Sequence, residues 1–393
     1  MREKPLHWVP LNLITRITHL ILSNVGRVSF AGEEELGDIS AHGGTPIAPG
    51  HWAHAMHSFI LATRSMRPRR PVWALLLCCL VASPAMAQPG ASLSSFLLLR
   101  FDASARTAAM GGAYTAAADG GVNAMFYNPA IPSPVTSRMP SVSYLNHLTD
   151  INAGTLAYSH TVSGNETTLN GGLRFVHWGT IQRRNERGER TGTFSAGDVA
   201  LTLGAARALG PRMRYGANVH LLHAQLESAQ ATAVAADLGV LYRVPAHRLA
   251  LGASLRYLGF SIDEFAKKAP TLPLDLQLGV SKRLAHLPLL LSLTAYDLNE
   301  IGTGVEGGST LDHVLGHLTF GSELRLGEAL RLRLGYNHRR SRDTAIADRV
   351  DLGGLGGGFG LVVGGIAVDY AYNSWSELGG LHQFTVRADL DAL

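Results

Sequence analysis

The sequence predicts an all-β chain: a transmembrane antiparallel β-barrel of about 14 strands, preceded by a short N-terminal plug or hatch segment. Three observations carry that expectation. An export signal precedes the mature chain. Apolar and polar side chains then alternate with a two-residue period to the C-terminus. Many alternating segments run about 9 to 12 residues, the length a tilted strand needs to cross a bilayer, against roughly 5 to 6 for a soluble strand.

The export signal is Met66 to Ala87, MRPRRPVWALLLCCLVASPAMA. Arg67, Arg69 and Arg70 form a basic n-region, Val72 to Val81 an apolar h-region, and Ala85-Met86-Ala87 an A-x-A cleavage site. The apolar run falls short of the roughly 20 residues a membrane helix needs. Cys78 and Cys79 follow Leu75, Leu76 and Leu77 rather than the small residues of a lipoprotein signal. Met66 can itself start this peptide, so residues 1–65 are expected to lie upstream of the true start, or to be disordered. They hold six of the 17 histidines, the Glu33 to Glu35 run and no sustained period. The expected organisation is then residues 1–65 extension, 66–87 signal peptide, 88–138 plug or hatch, and 139–393 barrel.

Charge and cysteine content narrow the function classes. The formal charge of +4 and pI near 9.1 would suit a nucleic-acid binder, but residues 88–393 hold 26 Lys/Arg against 25 Asp/Glu. No nucleic-acid partner is therefore expected. Both cysteines leave with the signal, which removes disulfides, thiolate metal sites and cysteine nucleophiles.

Alternation is plainest in Ala329 to His338, where Leu330, Leu332, Leu334 and Tyr336 fall on one side and Arg331, Arg333, Gly335 and Asn337 on the other. The expected strands, in order, begin with Ser141 to Leu148, Ala153 to Val162, Thr167 to Trp178, Gly197 to Ala205 and Arg212 to Leu221. Ala235 to Arg243, His247 to Leu258, Pro273 to Val280, Leu289 to Tyr296 and Leu318 to Leu326 follow. Ala329 to His338, a pairing near Val350 to Phe359, Leu361 to Tyr372 and Leu381 to Leu390 complete an even number, as in single-chain bacterial barrels. Near-uncharged apolar faces suit lipid, and closure removes the edges that lipid cannot satisfy. A soluble sandwich is the alternative, and strand length argues against it. Short links at Gly210-Pro211, Pro245-Ala246 and His286 to Pro288 read as periplasmic turns. The polar stretches Ile181 to Phe194, Phe260 to Leu272, Leu298 to Asp312 and Arg340 to Asp351 read as extracellular loops.

Ser95 to Ala130 does not alternate. It is rich in small residues, with glycine pairs at Gly111-Gly112 and Gly120-Gly121, and Asn128-Pro129 ends it in a turn. That composition suits a segment packed inside a lumen. Phe96-Leu97, then Ser104-Ala105-Arg106, Ala109-Met110-Gly111-Gly112-Ala113, Ala118-Asp119 and Phe126-Tyr127-Asn128-Pro129-Ala130 together resemble the opening signature of the PorV/PorQ family of type IX secretion outer-membrane proteins, distant relatives of FadL transporters. Asn146-His147-Leu148 with Thr149 to Gly154, Asp369-Tyr370-Ala371-Tyr372 and Leu378 to Phe384 look closer to PorQ. One departure is Gly120, where an acidic residue often follows Asp119.

The resemblance implies a 14-stranded FadL-like barrel in the bacterial outer membrane, in contact with lipid and lipopolysaccharide. It implies a docking and anchoring role in type IX secretion or surface attachment, with sortase-like and PorZ-type components and cargo sorting domains as partners. The plug residues that carry the motif are Ser104, Arg106, Gly111, Gly112, Asp119, Asn128 and Pro129. The alternative function is passive transport of hydrophobic small molecules, with Ser95 to Ala130 as a movable hatch.

No enzyme, metal or cofactor is expected. Ser159 and His160 are adjacent on a strand and point to opposite faces, as do His220 and His223. Neither these pairs nor His147 with Asp150 rises above background. Asp312, His313 and His317 read as a polar lumen cluster. Gly353 to Gly358 lacks the Lys-Ser/Thr of a phosphate loop. Asn165-Glu166-Thr167 is a formal glycosylation acceptor that carries no information in a bacterial barrel. Arg339, Arg340, Arg342 and Arg349 form a candidate docking patch for phosphates or carboxylates, weighed against a solvated loop.

Overall fold

Fourteen strands hydrogen-bond in chain order, and the last returns to the first. They are β1 (Ser141–Asn146), β2 (Asn152–Val162), β3 (Thr167–Arg184), β4 (Arg190–Leu209), β5 (Met213–Leu226), β6 (Ala229–Val244), β7 (Leu249–Ser261), β8 (Asp275–Arg283), β9 (Leu289–Ala295), β10 (Leu318–Leu326), β11 (Leu330–Asn337), β12 (Leu355–Val363), β13 (Ile366–Ser374) and β14 (Gly380–Ala388). Every pairing is antiparallel, and closure runs from Ser141 opposite Arg387 to Asn146 opposite His382. The computed structural model describes residues 96–393 except 113, 147–150, 163, 165, 186, 264–270, 301–308, 345–351 and 375–379. The expected signal peptide and the residues before it, and likewise His147, Asp150, Asn165 and Arg349, lie outside the described residues.

The two-residue period puts opposite chemistries on the two faces of the wall. Leu332 and Leu334 of β11 and Phe384 and Val386 of β14 face outward. Between them Arg333, Gln383, Thr385 and Arg387 point into the lumen and are buried. The outside is a belt of Leu, Val, Phe and Tyr, the surface that lipid requires, while backbone polar groups are satisfied strand to strand.

Wall height is uneven. Strands β3 and β4 run 18 and 20 residues, whereas β8 to β14 run 7 to 9. Ile181 to Phe194 is therefore not the long loop the sequence suggests. Strand pairing continues from Thr180 opposite Ser195 to Arg184 opposite Arg190, and the segment reads as loop because a hairpin clear of the membrane is polar on both faces. Leu361 to Tyr372 is likewise not one strand. Gly364 and Gly365, with φ of 54° and 82°, form a two-residue hairpin turn between β12 and β13 of the kind that needs positive φ at both positions.

The remaining long connections share the end opposite the short turns. Two helices occupy them: α2 (Thr310–Leu315) and α3 (His338–Thr344), numbered after the plug helix α1 (Ala105–Ala109). Ser309 caps α2, its hydroxyl accepting from the Asp312 amide at 3.2 Å while Asp312 accepts from the Ser309 amide at 3.0 Å. The Ser309 hydroxyl and amide, then His338, hold the Asp312 carboxyl down at about 2.

Candidate functional site

The described residues between Phe96 and Pro132 pack mostly inside the lumen. Ala105, Ala108 and Ala109 of α1 are fully buried, and they lie where the wall has glycine. A Cβ on Gly335 would stand 2.2 Å from the Gly111 nitrogen, one on Gly216 2.1 Å from the Pro129 oxygen, and one on Gly252 2.2 Å from the Thr115 oxygen. In the Gly353 to Gly358 run, a Cβ on Gly356 would come 2.4 Å from the Asn373 side-chain oxygen and 2.7 Å from the Ala108 oxygen, and one on Gly358 2.3 Å from the Tyr370 oxygen of β13 and 2.9 Å from the Ala109 Cβ. Gly216, Gly252 and Gly335 thus let plug backbone touch wall backbone, while Gly356 and Gly358 make room for the neighbouring strand as well as for α1.

The motif residues serve that same seating. Ser104 caps α1 by accepting from the Thr107 amide at 3.4 Å. Gly111 and Gly112 take φ of 86° and 92°, and a Cβ on Gly111 would lie 3.0 Å from the Phe320 oxygen. Asn128 is fully buried; its amide donates to the Thr115 oxygen at 2.9 Å and the Val240 oxygen at 3.0 Å, and its own oxygen accepts from the Ala130 amide at 2.9 Å. Pro129 packs against Gly216 and Gly239. At Gly120 a Cβ would meet the Ala124 Cβ at 2.7 Å, so the position has no room for a second acid.

Arg106 and Asp119 open an ion network at the short-turn end. Arg106 donates to Glu323 at 2.8 and 3.1 Å and to the Asp119 carbonyl at 2.9 Å, and its guanidinium lies 5.2 Å from the Tyr114 ring centre. Asp119 also pairs with Arg283 and Arg325 at 2.5 Å each. Glu323 takes Arg333 at 2.9 Å; Arg333 reaches Asp369 at 2.7 Å, and Arg387 meets Asp369 at 3.0 Å. Five arginines thus share three carboxylates across plug and wall. Arg106, Glu323, Arg333, Asp369 and Arg387 are buried but mutually paired, the condition under which burial is tolerated, while Asp119, Arg283 and Arg325 are half-buried.

The other half of the lumen departs from the polar-inside rule. Toward the long-loop end, most inward positions of β3 to β6 are apolar, Val176, Ala200, Leu222, Ala224, Ala231, Ala233 and Ala235, all buried, and Phe96, Leu98 and Leu99 of the plug lie against them; the buried Asp198 of β4 stands among them and accepts from the Leu98 amide at 3.4 Å. Below that level the inward positions turn polar. Thr202 contacts His220 Nδ1 at 2.8 Å, and His220 Nε2 contacts Asp237 at 2.7 Å. His223 is exposed on the opposite face.

Above the plug, a bulge shapes a cavity. On β7 two residues, Arg256 and Tyr257, oppose the single Asp237 of β6, and Tyr257 has φ of 58°. Its amide donates to Asp237 at 2.8 Å. A bulge re-aims side chains, and here both residues turn inward and are buried. They line a cavity of about 280 Å³ together with Phe126 and Tyr127 of the plug, Arg174 of β3 and Asp275 of β8.

The candidate docking arginines frame its rim. Arg339 pairs with Asp297 and lies 5.2 Å from the Tyr296 ring centre, and Arg340 reaches Asp102 at 3.4 Å. Both are half-buried and turned toward the lumen mouth, whereas Arg342 is exposed and 3.9 Å from Asp312. His317 and Asp312 stand at this same mouth, bonded to the Tyr296 carbonyl at 3.0 Å and to His338 at 3.1 Å respectively. Sequence reasoning missed Arg174, Arg256, Tyr257 and Asp275. The one available signal was a charge at a lumen position, which a polar-lined barrel makes commonplace.

No family model matches the chain, and no curated protein matches its sequence. Among solved structures, the Pseudomonas putida toluene transporter TodX is similar at 14% identity and a TM-score of 0.44, over 74% of this chain and 98% of that one. A Pseudomonas aeruginosa FadL homologue is similar at 11% and 0.44, over 73% and 98%. A deletion mutant of TodX, a monoaromatic hydrocarbon channel, gives 14% and 0.47, over 73% and 98%. At these values the likeness is one of barrel architecture alone. A closed antiparallel wall of 14 strands, apolar outside and plugged inside, is the construction of a bacterial outer-membrane protein.

Proposed function

We propose that the chain is a passive outer-membrane conduit for small, largely apolar molecules, closed by its own plug. The observation that carries this is the apolar half-lumen of β3 to β6, which Phe96, Leu98 and Leu99 occupy. A lumen serving ions or polar solutes has no use for a wall of Val, Leu and Ala. Here the surface is largely apolar on the inside and covered by three side chains, with Arg174 and Asp198 holding the Leu98 backbone between them. When those side chains leave, an apolar groove opens toward the long-loop end.

The double substitution Leu98→Ala/Leu99→Ala tests it in proteoliposomes with a small neutral aromatic such as toluene as the probe. Truncating buried leucines removes about 2 kcal/mol or more each, so flux is expected to rise at least about tenfold. Unchanged flux in a correctly folded variant would retire the conduit.

The docking role implied by the PorV/PorQ resemblance is the second reading. It draws support from the tall β3–β4 hairpin, whose exposed Arg183, Arg184, Arg187 and Arg190 stand clear of the wall. The motif residues themselves face the lumen and seat the plug, which leaves them no surface to offer a partner. If docking is the function, affinity capture of the native barrel returns sortase-like or PorZ-type proteins, and removal of residues 182–192 abolishes the capture. Capture of the barrel alone would count against it.

A further inference from the structure

The short-turn end of the barrel sorts its charges by sector. Three neighbouring turns, β4–β5, β6–β7 and β8–β9, lie within residues 205–216, 242–250 and 281–290, and these stretches hold seven Lys/Arg and no Asp/Glu. The other strand feet differ. Glu166 sits in the β2–β3 turn, Glu328 in the β10–β11 turn, and Asp389 and Asp391 follow β14. In a chain whose residues 88–393 are nearly neutral as a whole, one side of the rim thus carries a block of one sign.

Two of the seven are used inside the barrel. Arg214 donates to the Ala130 and Pro132 carbonyls of the plug, and Arg283 pairs with Asp119. Of the other five, Arg243 is half-buried and Arg207, Arg212, Arg248 and Lys282 are exposed; none has an ion pair among the described residues. Arg248 donates to the Leu284 and Ala285 carbonyls of the next turn at 3.3 Å each, which places its guanidinium between two turns and leaves its charge uncompensated.

Alternation decides which way the strand residues face. Arg207 continues the outward row of Val199, Leu201 and Leu203 on β4, and Lys282 that of Leu276, Leu278 and Val280 on β8. Between them, in the same outward layer, Tyr215 lies opposite Arg207 and Tyr242 opposite Leu251, and both rings are exposed. On β10 to β14 the pattern is reversed: Arg325, Arg331 and Arg387 occupy inward rows, while Leu326, Leu332, Leu361, Ile366 and Val386 face out.

A long cationic side chain at the edge of a lipid-facing wall lays its stem on apolar surface and puts its charge among the headgroups. Tyrosine settles at the same depth, because its ring is apolar and its hydroxyl polar. Short turns of an outer-membrane barrel are periplasmic, so the headgroups at this end belong to the phospholipid leaflet. From β4 to β8 is four strand spacings, roughly 20 Å of rim at about 4.8 Å each. A protein partner would cover the turns alone. A lipid covers cations, tyrosines and the leucine rows above them at once.

We infer that the foot of β4 to β8 is a binding surface for anionic phospholipid of the periplasmic leaflet, with phosphates on Arg207, Arg212, Arg248 and Lys282 and the glycerol region on Tyr215 and Tyr242. The surface lies outside the wall and is independent of the conduit within it.

Calorimetric titration of the full barrel in neutral detergent with dihexanoyl-phosphatidylglycerol, dihexanoyl-phosphatidylcholine, inorganic phosphate and oligoglutamate tests the inference. A headgroup that meets two cations gains on the order of tenfold, so phosphatidylglycerol is expected to bind at least about tenfold more tightly than phosphatidylcholine, by a margin that narrows as salt is raised. Arg207→Gln/Lys282→Gln should remove most of that margin, and Arg212→Gln a smaller part of it should the double variant fail to fold. Arg184→Gln/Arg187→Gln, the same change of charge at the opposite end of the barrel, should leave it intact. Equal binding of the two lipids overturns the surface, as does equal loss in the two double variants, which would reduce the effect to net charge. Phosphate or oligoglutamate binding as tightly as phosphatidylglycerol also overturns it, the latter in favour of an acidic protein partner.

Discussion

Replacing Glu323 with leucine is expected to destabilise the barrel by about 3–5 kcal/mol, the usual cost of removing one partner from a buried charge pair. Glu323 is fully buried and accepts from Arg106 of the plug and from Arg333 and Arg325 of the wall. Leucine matches its bulk but leaves two nearly inaccessible guanidiniums facing an apolar group. Compensation is partial, because Arg333 keeps Asp369 at 2.7 Å and Arg106 keeps Asp119 at 3.4 Å. Glu323→Gln, which retains an acceptor oxygen, should lose roughly half as much. Guanidinium unfolding of the lipid-refolded protein measures both, and a loss under about 1 kcal/mol for the leucine variant would show that the network does not hold the plug. Adding Arg106→Leu completes a double-mutant cycle that isolates the plug-to-wall term from the wall's own ion pairs. Strong coupling places the energy between hatch and barrel; none places it within the wall.

How much of this was legible in the sequence depends on the range of the physics involved. Alternation is local, so β11 and β14 could be read residue by residue, and so could the strand number. Gly364-Gly365 was legible too, as a hairpin turn signal, but both flanks alternate and the pattern runs across it unbroken. The bulge at Arg256 and Tyr257 was not. Ser254 to Leu258 reads as ordinary alternation, and only the Asp237 carboxylate on the neighbouring strand, accepting the Tyr257 amide, fixes the extra residue. The apolar half-lumen was hidden for another reason. In Ala231 to Ala235 small residues stand on both faces, so the period gives no contrast between inside and outside. The role of wall glycines such as Gly216, Gly252 and Gly335 is the most remote of all, since each of these answers to a plug residue far away in the chain.

Gly335→Val is the sharpest test of that last point. The Cβ that valine adds would lie 2.2 Å from the Gly111 nitrogen and 2.3 Å from the Met110 carbonyl carbon. These are backbone atoms of the plug, which cannot swing aside as the end of a side chain can. Overpacking a tight contact costs about 1–3 kcal/mol, and a backbone clash belongs at the upper end. The plug is expected to leave its seat on β11, because the wall is hydrogen-bonded on both sides of Gly335 and the plug is not. About 3 kcal/mol raises an open population roughly 150-fold, and trypsin cleavage after Arg106 in the solubilised barrel should accelerate by that order. Gly357→Val is the matched control: it lies opposite Leu334 in the β11–β12 pairing, one position along from Gly335, yet its Cβ would meet only the Arg333 oxygen, at 3.9 Å. Equal cleavage rates in the two variants would mean that glycine at 335 serves the strand rather than the plug. A fast rate confined to Gly335→Val, with both barrels still folded, would locate the moving part in Ser95 to Ala130 and the fixed part in the wall.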